Sequence, residues 1–229
     1  MSNLKIGIVV ADVDEYLPFV EDVKIYNPKK YDYYGKDAIT FNIGDNEIIC
    51  ILCGIGKVNA ATAAAFLADR CDIILNYGLS GGISRVRRGE ISLPDKYLEH
   101  DFDLTIIGYK PCEKPRQEYI YSADQKLLSL AKELFSGVVG TAVCGDRFVS
   151  SDKDREFLKN TFNAVSCDME TGAIASVCHL ADIPFMAIRR ISDDAGDEAV
   201  ESYNDMNKNE GETLSQLFIK YLNFVCESF

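Results

Sequence analysis

The sequence predicts an α/β fold in which a mainly parallel β-sheet is covered by helices on both faces. Strand-like and helix-like segments alternate along the 229 residues, without an internal repeat or a linker rich in proline, glycine and serine. Several strand-like runs are short and continuously apolar, as is typical of strands buried on both faces. The length suits one large domain, and the content of 47% hydrophobic and 26% charged residues is that of a globular protein.

The first half of the chain is expected to form four strands and one helix. Residues 4–10 are an apolar run of strand length, and residues 58–67 are rich in alanine, which favours a helix. Gly44-Asp45-Asn46 separates two apolar runs, which indicates a hairpin. The predicted elements are strand 4–10, hairpin strands 38–42 and 47–52, helix 58–67 and strand 73–77.

The second half continues the alternation and ends in an amphipathic helix. Residues 123–134 repeat apolar side chains at helical spacing. The other predicted elements are strand 91–98, strand 138–144, helix 170–180 and strand 183–191. One face of the final helix carries Leu214, Leu217, Phe218, Tyr221, Leu222 and Val225.

The charge excludes a broad nucleic-acid surface, because the chain has a net charge of −12 and phosphate backbones require clustered Lys and Arg. The basic residues 85–88 form a short run that we interpret as a solvated loop. We predict no membrane partner and a cytoplasmic location. The apolar run near the N-terminus contains Lys5 and meets Asp12, unlike a signal peptide, and no apolar stretch approaches the ~18 residues of a transmembrane helix.

The eight cysteines are expected to be reduced thiols rather than a disulfide framework, since several lie inside apolar runs. Cys50 and Cys53 form a C-x-x-C, but within a strand-like run rather than at the start of a helix, which argues against a redox motif. The histidines, His100 and His179, have no metal-ligand spacing. The sequence therefore predicts neither a metal nor another cofactor.

Short polar segments follow several predicted strands, where ligands bind in open α/β sheets. They comprise Asp12, Asp14 and Glu15, a glycine-rich turn at residues 78–82, residues 145–150, residues 167–172 leading into a helix, and residues 189–193. Taken singly, each has a structural alternative, because Asp168, Glu170 or Asp193 could cap a helix and Phe148 could be core. Their joint position at strand ends favours one pocket.

Two common phosphate motifs are absent. Gly54-Ile-Gly56 has two glycines of a dinucleotide fingerprint, but Asn59 occupies the place of the third. A P-loop would need glycine at Ile51 and a hydroxyl residue at Val58. A nucleotide-dependent dehydrogenase is therefore the least supported function.

An ordered set of motifs does carry a resemblance. It comprises Gly54-Ile-Gly-Lys-Val-Asn-Ala-Ala61, the glycine-rich residues 78–82, Gly145-Asp-Arg-Phe148, Asp168-Met-Glu170 and Ser192-Asp193. The set resembles that of the purine nucleoside phosphorylase/hydrolase family, most closely its 5′-methylthioadenosine/S-adenosylhomocysteine nucleosidase branch. The resemblance implies one domain over residues 1–229, a three-layer α/β/α sandwich around a mixed sheet, an adenine nucleoside as ligand and usually a homodimer.

The resemblance also implies roles for matching positions. Asp193 would be the general acid at purine N7, and Glu15 would activate the attacking water. Glu170 would bind the ribose hydroxyls, with Met169 against the sugar. These roles suit N-ribosidic cleavage, which builds positive charge on the ribosyl group and negative charge on the leaving base.

Further positions would recognise the base. Phe148 would stack on adenine, the backbone of Val149 would read its edge, and Tyr203 would lie beside it. Arg189 resembles an arginine near the nucleophilic water. Additional expected substrate-binding positions are Ser80, Gly81 and Ser192.

Three positions depart from the nucleosidase pattern. Leu79 stands where serine is usual, Asp168 where glutamate is usual, and Ile107 where a dimer partner usually offers an aromatic side chain. The first two concern positioning of water, and the third concerns the 5′-substituent. Substrate identity is therefore less constrained than reaction class.

Two alternatives to an adenosine-type nucleosidase remain open at this stage. A nucleoside phosphorylase would need cationic donors for phosphate, whereas the segment after the first strand carries Asp12, Asp14 and Glu15, which repel an anion and suit activation of water. A non-catalytic nucleoside-binding protein would retain the fold without activity, and Leu79 would fit it. The presence of both Glu15 and Asp193 favours the enzyme.

Overall fold

The computed structural model describes residues 3–201 and 213–229 as a mixed β-sheet with helices on both sides. The strands are β1 (Lys5–Val10), β2 (Lys29–Lys30), β3 (Ala38–Ile43), β4 (Asn46–Leu52), β5 (Ile73–Gly82), β6 (Ile91–Glu99), β7 (Ile120–Ser122), β8 (Val138–Cys144), β9 (Ala164–Asp168) and β10 (Phe185–Asp193). The helices are α1 (Val13–Asp22), α2 (Lys57–Ala68), α3 (Gln125–Leu134), α4 (Asp152–Phe162), α5 (Thr171–Ala181) and α6 (Leu214–Ser228).

The sheet runs in the order β10-β6-β8-β9-β5-β1-β4-β3-β2, with β7 on β6. An additional parallel pairing of β10 with β5 closes β5, β10, β6, β8 and β9 into a ring. Within the described residues five of the ten strand pairings are parallel, so the sheet is mixed rather than mainly parallel. The predicted hairpin is confirmed as antiparallel β3 and β4.

The apolar core lies between the sheet and two groups of helices. Helix α2 packs on α5, while α1 and α3 pack on α6. The final helix contributes Phe218, which stacks on Tyr77 of β5 with ring centroids 4.4 Å apart and also contacts Phe19 of α1. The predicted apolar face of the last helix is confirmed, since Phe218, Tyr221, Leu222 and Val225 are buried and Leu214 and Leu217 are partly buried. This packing holds α1 against the sheet beside the ends of β1 and β5.

Five elements were missed by the sequence prediction, among them the short edge strands β2 and β7. Helix α1 begins with acidic residues and contains Pro18, α4 has Leu158 as its only fully buried residue, and β9 is five residues long. In addition, residues 78–82 are not a turn, as predicted, but the last part of β5, paired with β10 and β9. The polar segment carrying Glu15 is therefore helical, and the glycine-rich segment is an extended strand.

Other sequence expectations concern the surface and the thiols. All eight cysteines are free, and seven of them are buried, as expected for reduced core thiols. The basic residues 85–88 lie between β5 and β6, and Arg85, Arg87 and Arg88 are exposed. Among the described helices, none has the length and apolar character needed to cross a membrane.

Candidate active site

A cavity of about 520 Å³ opens where β1, β5, β8, β9 and β10 end. The sequence-predicted residues that line it are Glu15, Ser80, Gly81, Phe148, Val149, Met169, Glu170, Ser192 and Asp193. Tyr203 lies outside the described residues. Arg189 does not line the cavity but lies buried behind it, at 1% exposure. One site therefore brings together residues from five segments that are distant in sequence.

Glu15 lies in the first turn of α1 and reaches the backbone of β5. Its Oε1 accepts the N–H of Leu79 at 2.7 Å, whereas the buried Oε2 has no hydrogen-bond partner in the part of the chain that the structure describes. Burial raises the pKa of Glu15 to about 7, although Arg189 and the Leu79 N–H oppose this shift. Glu15 is thus a carboxyl group that changes protonation near neutral pH and has one free oxygen at a cavity wall.

Arg189 on β10 organises the wall behind the cavity. Its Nη2 lies 3.5 Å from both Glu170 Oε2 and Asp168 Oδ1, and its Nη1 donates to the Leu79 carbonyl at 3.2 Å. Burial acts to lower the pKa of Arg189, but the neighbouring carboxylates outweigh it and raise that pKa. The guanidinium therefore remains charged and compensates part of the buried negative charge.

Asp168 closes β9 and caps the start of α5. It accepts the N–H groups of Glu170 and Thr171 at 2.8 and 2.7 Å, and the Thr171 hydroxyl at 2.6 Å. These bonds satisfy amide groups that a helix N-terminus leaves unpaired. The capping alternative is thus correct for Asp168, although this residue also lines the cavity.

Glu170 precedes α5 and is also buried. Its Oε1 accepts the N–H of Gly56 at 3.0 Å, at the start of α2. Burial raises the pKa of Glu170, and Arg189 opposes the shift. The motif containing Gly56, which is not a nucleotide fingerprint, instead brings a backbone donor to this carboxylate.

Asp193 ends β10 and is 2% exposed. Its Oδ1 accepts the N–H of Ala195 at 2.8 Å, and its Oδ2 lies 2.7 Å from Ser192 Oγ, which also lies 3.2 Å from the Ser80 carbonyl. The one proton of the Ser192 hydroxyl can be donated to Asp193 Oδ2 or to the Ser80 carbonyl, both of which lie within hydrogen-bond distance. Burial raises the pKa of Asp193, while the bonds from Ser192 and Ala195 act against it. Burial therefore shifts Asp193 toward its protonated form, compared with an exposed aspartate.

The 145–150 segment, which follows β8, supplies the aromatic wall. Phe148 is 44% exposed, whereas Val149 is buried, and both line the cavity. An exposed aromatic surface at a cavity wall suits a planar heterocycle.

Several cavity residues were not singled out by the sequence. They are Ala11, Ile55, Arg147, Ser150, Cys167 and Val200. Most adjoin a recognised motif, so the strand-end rule finds their segments, but no signal in one sequence identifies which neighbours face the cavity. Among residues 3–201 and 213–229, no cluster of three or more His, Cys, Asp or Glu side chains could hold a metal ion.

The positions that depart from the nucleosidase pattern have different surroundings. Leu79 lines the cavity and binds Glu15 and Arg189 through its backbone, so those two contacts do not depend on its side chain. Ile107 lies in a 3-10 turn, Thr105–Ile107, and is 66% exposed.

Comparison with known proteins places this site in a family. A family model described as the phosphorylase superfamily matches residues 5–223. The 5′-methylthioadenosine/S-adenosylhomocysteine nucleosidase of Oceanobacillus iheyensis is 30% identical over 225 residues, which cover 94% of this chain and 97% of that protein. The structure of the same enzyme from S. pneumoniae, with the transition-state inhibitor MT-ImmA, is 26% identical with a TM-score of 0.85, covering 98% of this chain and 99% of that chain.

A solved structure of another function is equally similar. The futalosine hydrolase of Helicobacter pylori is 26% identical with a TM-score of 0.88, and the match covers 98% of each chain. The backbone therefore does not separate these two hydrolases. The family match over residues 5–223 and the 30% identity establish that the chain belongs to the phosphorylase superfamily, in its 5′-methylthioadenosine/S-adenosylhomocysteine nucleosidase branch.

Proposed function

We propose that this protein is an N-glycosyl hydrolase that cleaves the ribosidic bond of 5′-methylthioadenosine, S-adenosylhomocysteine or a related adenine nucleoside. The observation that carries the proposal is the pair of carboxyl groups, Glu15 and Asp193, that line one cavity from α1 and β10. Both have pKa values raised by burial, and Glu15 has a free oxygen. Such a pair supplies an acid for the leaving base and a base for water.

In this mechanism Asp193 donates a proton or a strong hydrogen bond to purine N7 as the ribosidic bond breaks. Glu15 in its carboxylate form removes a proton from the attacking water through Oε2. Glu170 binds the ribose hydroxyls, and Met169 packs against the sugar. Negative charge on these carboxylates stabilises the developing ribosyl cation. The products are adenine and the 5-substituted ribose.

Recognition of the base is assigned to other residues of the cavity lining. Phe148 stacks on adenine and the Val149 backbone reads its edge, while Ser192 holds Asp193. Ser80, Gly81 and Tyr203 complete the substrate-binding set, and Arg189 positions Glu170 and Glu15 from behind. The positioning role of Arg189 is supported by its burial and by its contacts with Glu170 and the Leu79 backbone.

The charge of the cavity supports water rather than phosphate as the nucleophile. Of the described lining residues, five are acidic, Asp12, Glu15, Asp168, Glu170 and Asp193, and only Arg147 is cationic. Arg147 is half exposed and pairs with Asp154 at 3.0 Å. Arg189 behind the wall compensates only part of the carboxylate charge, so the carboxylates that remain ionised would repel the phosphate anion that a phosphorylase must admit.

We also propose that residues 1–229 form one domain, that two chains associate as a homodimer, and that the protein acts in the cytoplasm in methionine salvage. One apolar core includes side chains from β1 to α6, which supports a single domain. Large apolar side chains that are more than half exposed include Ile55, which lines the cavity, and Val58, Ile106 and Ile107. Such a surface favours a protein partner. The free thiols suit a reducing compartment.

The proposal is tested by identifying the sugar product. Purified protein is incubated with several 5′-substituted adenosines, with and without inorganic phosphate. Free 5-substituted ribose at a rate independent of phosphate supports hydrolysis. A ribose 1-phosphate product, or a rate proportional to phosphate, would show a phosphorylase, and absence of adenine release with tight nucleoside binding would show a non-catalytic protein.

A further inference from the structure

A partly buried group of charged side chains lies outside the proposed catalytic set. It consists of Lys57, Glu99, Asp101 and Lys114, whose side chains are 13–24% exposed. Lys57 Nζ donates to Asp101 Oδ1 at 2.6 Å and to Glu99 Oε2 at 3.1 Å, and Lys114 donates to Glu99 Oε1. The four side chains come from α2, from β6 and from the segments that follow β6, so they join distant parts of the chain.

This group is tied to the segment that carries Phe148. Asp101 Oδ2 accepts the N–H of Asp146 at 2.9 Å, and Asp146 Oδ1 accepts the N–H of Lys57 at 2.7 Å. Phe148 and Val149 follow Asp146 by two and three residues and line the cavity. Charge-assisted bonds from Asp146 to Asp101 and to the start of α2 therefore fix the partly exposed 145–150 segment.

The same end of α2 also holds the carboxylate proposed to bind ribose. Gly56 donates its N–H to Glu170, and the next residue, Lys57, donates its N–H to Asp146. Adjacent amides at the start of α2 thus bind Glu170, which lines the cavity, and Asp146, which precedes the lining residues Phe148 and Val149. A Cβ on Gly56 would lie 3.1 Å from Asp146 Oδ1, so these elements approach closely.

We propose that Asp101 is a positioning residue for the base-binding segment 145–150, acting through the amide of Asp146, and that Lys57 holds the Asp101 carboxylate in place. This inference rests on the proposed function for the identity of the bound base. Asp101 contacts neither Glu15 nor Asp193 in the described residues; its carboxylate binds the Asp146 amide and the Lys57 ammonium group. Burial acts to raise the pKa of Asp101, but the bonds from Lys57 and Asp146 outweigh it and lower that pKa, so the carboxylate is charged at neutral pH.

The role predicts a particular kinetic signature. Contacts between the base and residues 145–150 form in the bound substrate and persist in the transition state. Loosening this segment therefore weakens both states equally, which raises KM and leaves kcat nearly unchanged. We expect Asp101→Ala to raise KM about 10-fold, the equivalent of one lost interaction of ~1.4 kcal/mol, with kcat within about threefold of the natural enzyme.

The test compares Asp101→Ala and Asp101→Asn with Asp103→Ala. Asparagine keeps an acceptor for the Asp146 amide but loses the ion pair with Lys57. The KM of Asp101→Asn should therefore lie between that of the natural protein and that of Asp101→Ala. The asparagine variant also carries the test if the alanine variant does not fold. Asp103 is a matched control, because its exposed carboxylate accepts the N–H of Thr105 within its own segment. We expect Asp103→Ala to keep a normal KM.

A second measurement does not depend on activity. Amide hydrogen exchange of residues 145–150 in the ligand-free protein should accelerate in Asp101→Ala and stay normal in Asp103→Ala. Normal exchange together with a normal KM in Asp101→Ala would overturn the proposal. An equal loss of kcat in Asp101→Ala and Asp103→Ala would also overturn it. If the natural protein releases no adenine, the proposed function fails, and the exchange measurement alone decides the role of Asp101.

Discussion

Glu15 and Arg189 bind the backbone N–H and the backbone carbonyl of the same residue, Leu79. Glu15 Oε1 accepts the N–H of Leu79 at 2.7 Å, and Arg189 Nη1 donates to its carbonyl at 3.2 Å. The strand β5 thereby fixes the distance between a carboxyl group from α1 and a guanidinium from β10. Both bonds are made to the backbone of Leu79. They therefore do not require the serine side chain that nucleosidases usually have at this position.

This relationship requires glycine at position 78. A Cβ there would collide with Arg189 Nη1 and would lie 2.8 Å from Glu15 Oε1. We expect Gly78→Ala to displace both groups and to lower kcat/KM roughly 100-fold, the effect of a misplacement near 1 Å. The control is Gly44→Ala in the β3–β4 turn. Gly44 has a φ of +59°, and a Cβ added there would have no atom of the described residues within 4 Å. Gly44→Ala should lower the melting temperature but leave kcat/KM unchanged; equal activity in both variants would contradict the account.

The raised pKa of Glu15 predicts a pH-dependent stability. The folded protein holds a proton on Glu15 up to a pKa of about 7, whereas the unfolded chain releases it near 4.5. Between these values the folded state binds more protons, so stability falls as pH rises. Relative to Glu15→Gln, the natural protein should lose on the order of 3 kcal/mol of unfolding free energy from pH 4.5 to 7. Urea unfolding of both proteins measures this difference, and a difference independent of pH would show that Glu15 is not desolvated.

Glu170 is expected to distinguish ribosides from their deoxy analogues. A carboxylate accepts hydrogen bonds from both ribose hydroxyls, each worth about 1.5–3 kcal/mol. Glu170→Gln should therefore slow turnover of ribosides far more than turnover of 2′,3′-dideoxy analogues. Parallel kcat/KM measurements on the two substrate types check this. Equal losses would indicate that Glu170 only orders the start of α5 and α2.

The sequence predicts many of the cavity-lining residues but not the elements and contacts that hold them in place. Glu15 and Asp193 follow strand-like runs, and the joint position of several polar segments at strand ends favours one pocket. Helix α1 escapes prediction because Pro18 lies inside it, although Asp12 at its N-cap and the acidic first turn favour a helix start. Residues 78–82 resemble a turn because glycine is common in turns, yet here the strand needs small residues where β10 and α1 side chains approach closely. Contacts such as Asp101 with Asp146 join residues 45 positions apart, which no local pattern reveals.

Asp168 should matter for stability as well as for the site. Its buried carboxylate accepts three hydrogen bonds and pairs with Arg189, so Asp168→Ala leaves several buried groups unpaired. We expect a loss of about 3–5 kcal/mol in unfolding free energy. The control, Asp152→Ala in the first turn of α4, removes a 59%-exposed carboxylate and should change stability by less than about 1 kcal/mol. Similar effects of the two substitutions would contradict the buried cluster.

The central claim is that Asp193 delivers the proton that lets adenine leave. Asparagine keeps the size and can accept the Ala195 amide bond, but it cannot transfer a proton. Asparagine also caps turns about as well as aspartate, so the fold should be retained. The decisive measurement is kcat of Asp193→Asn on a 5′-substituted adenosine, together with its melting temperature. The account predicts a kcat lower by roughly 10²–10⁴-fold at a nearly unchanged melting temperature, and a kcat close to that of the natural enzyme would contradict it.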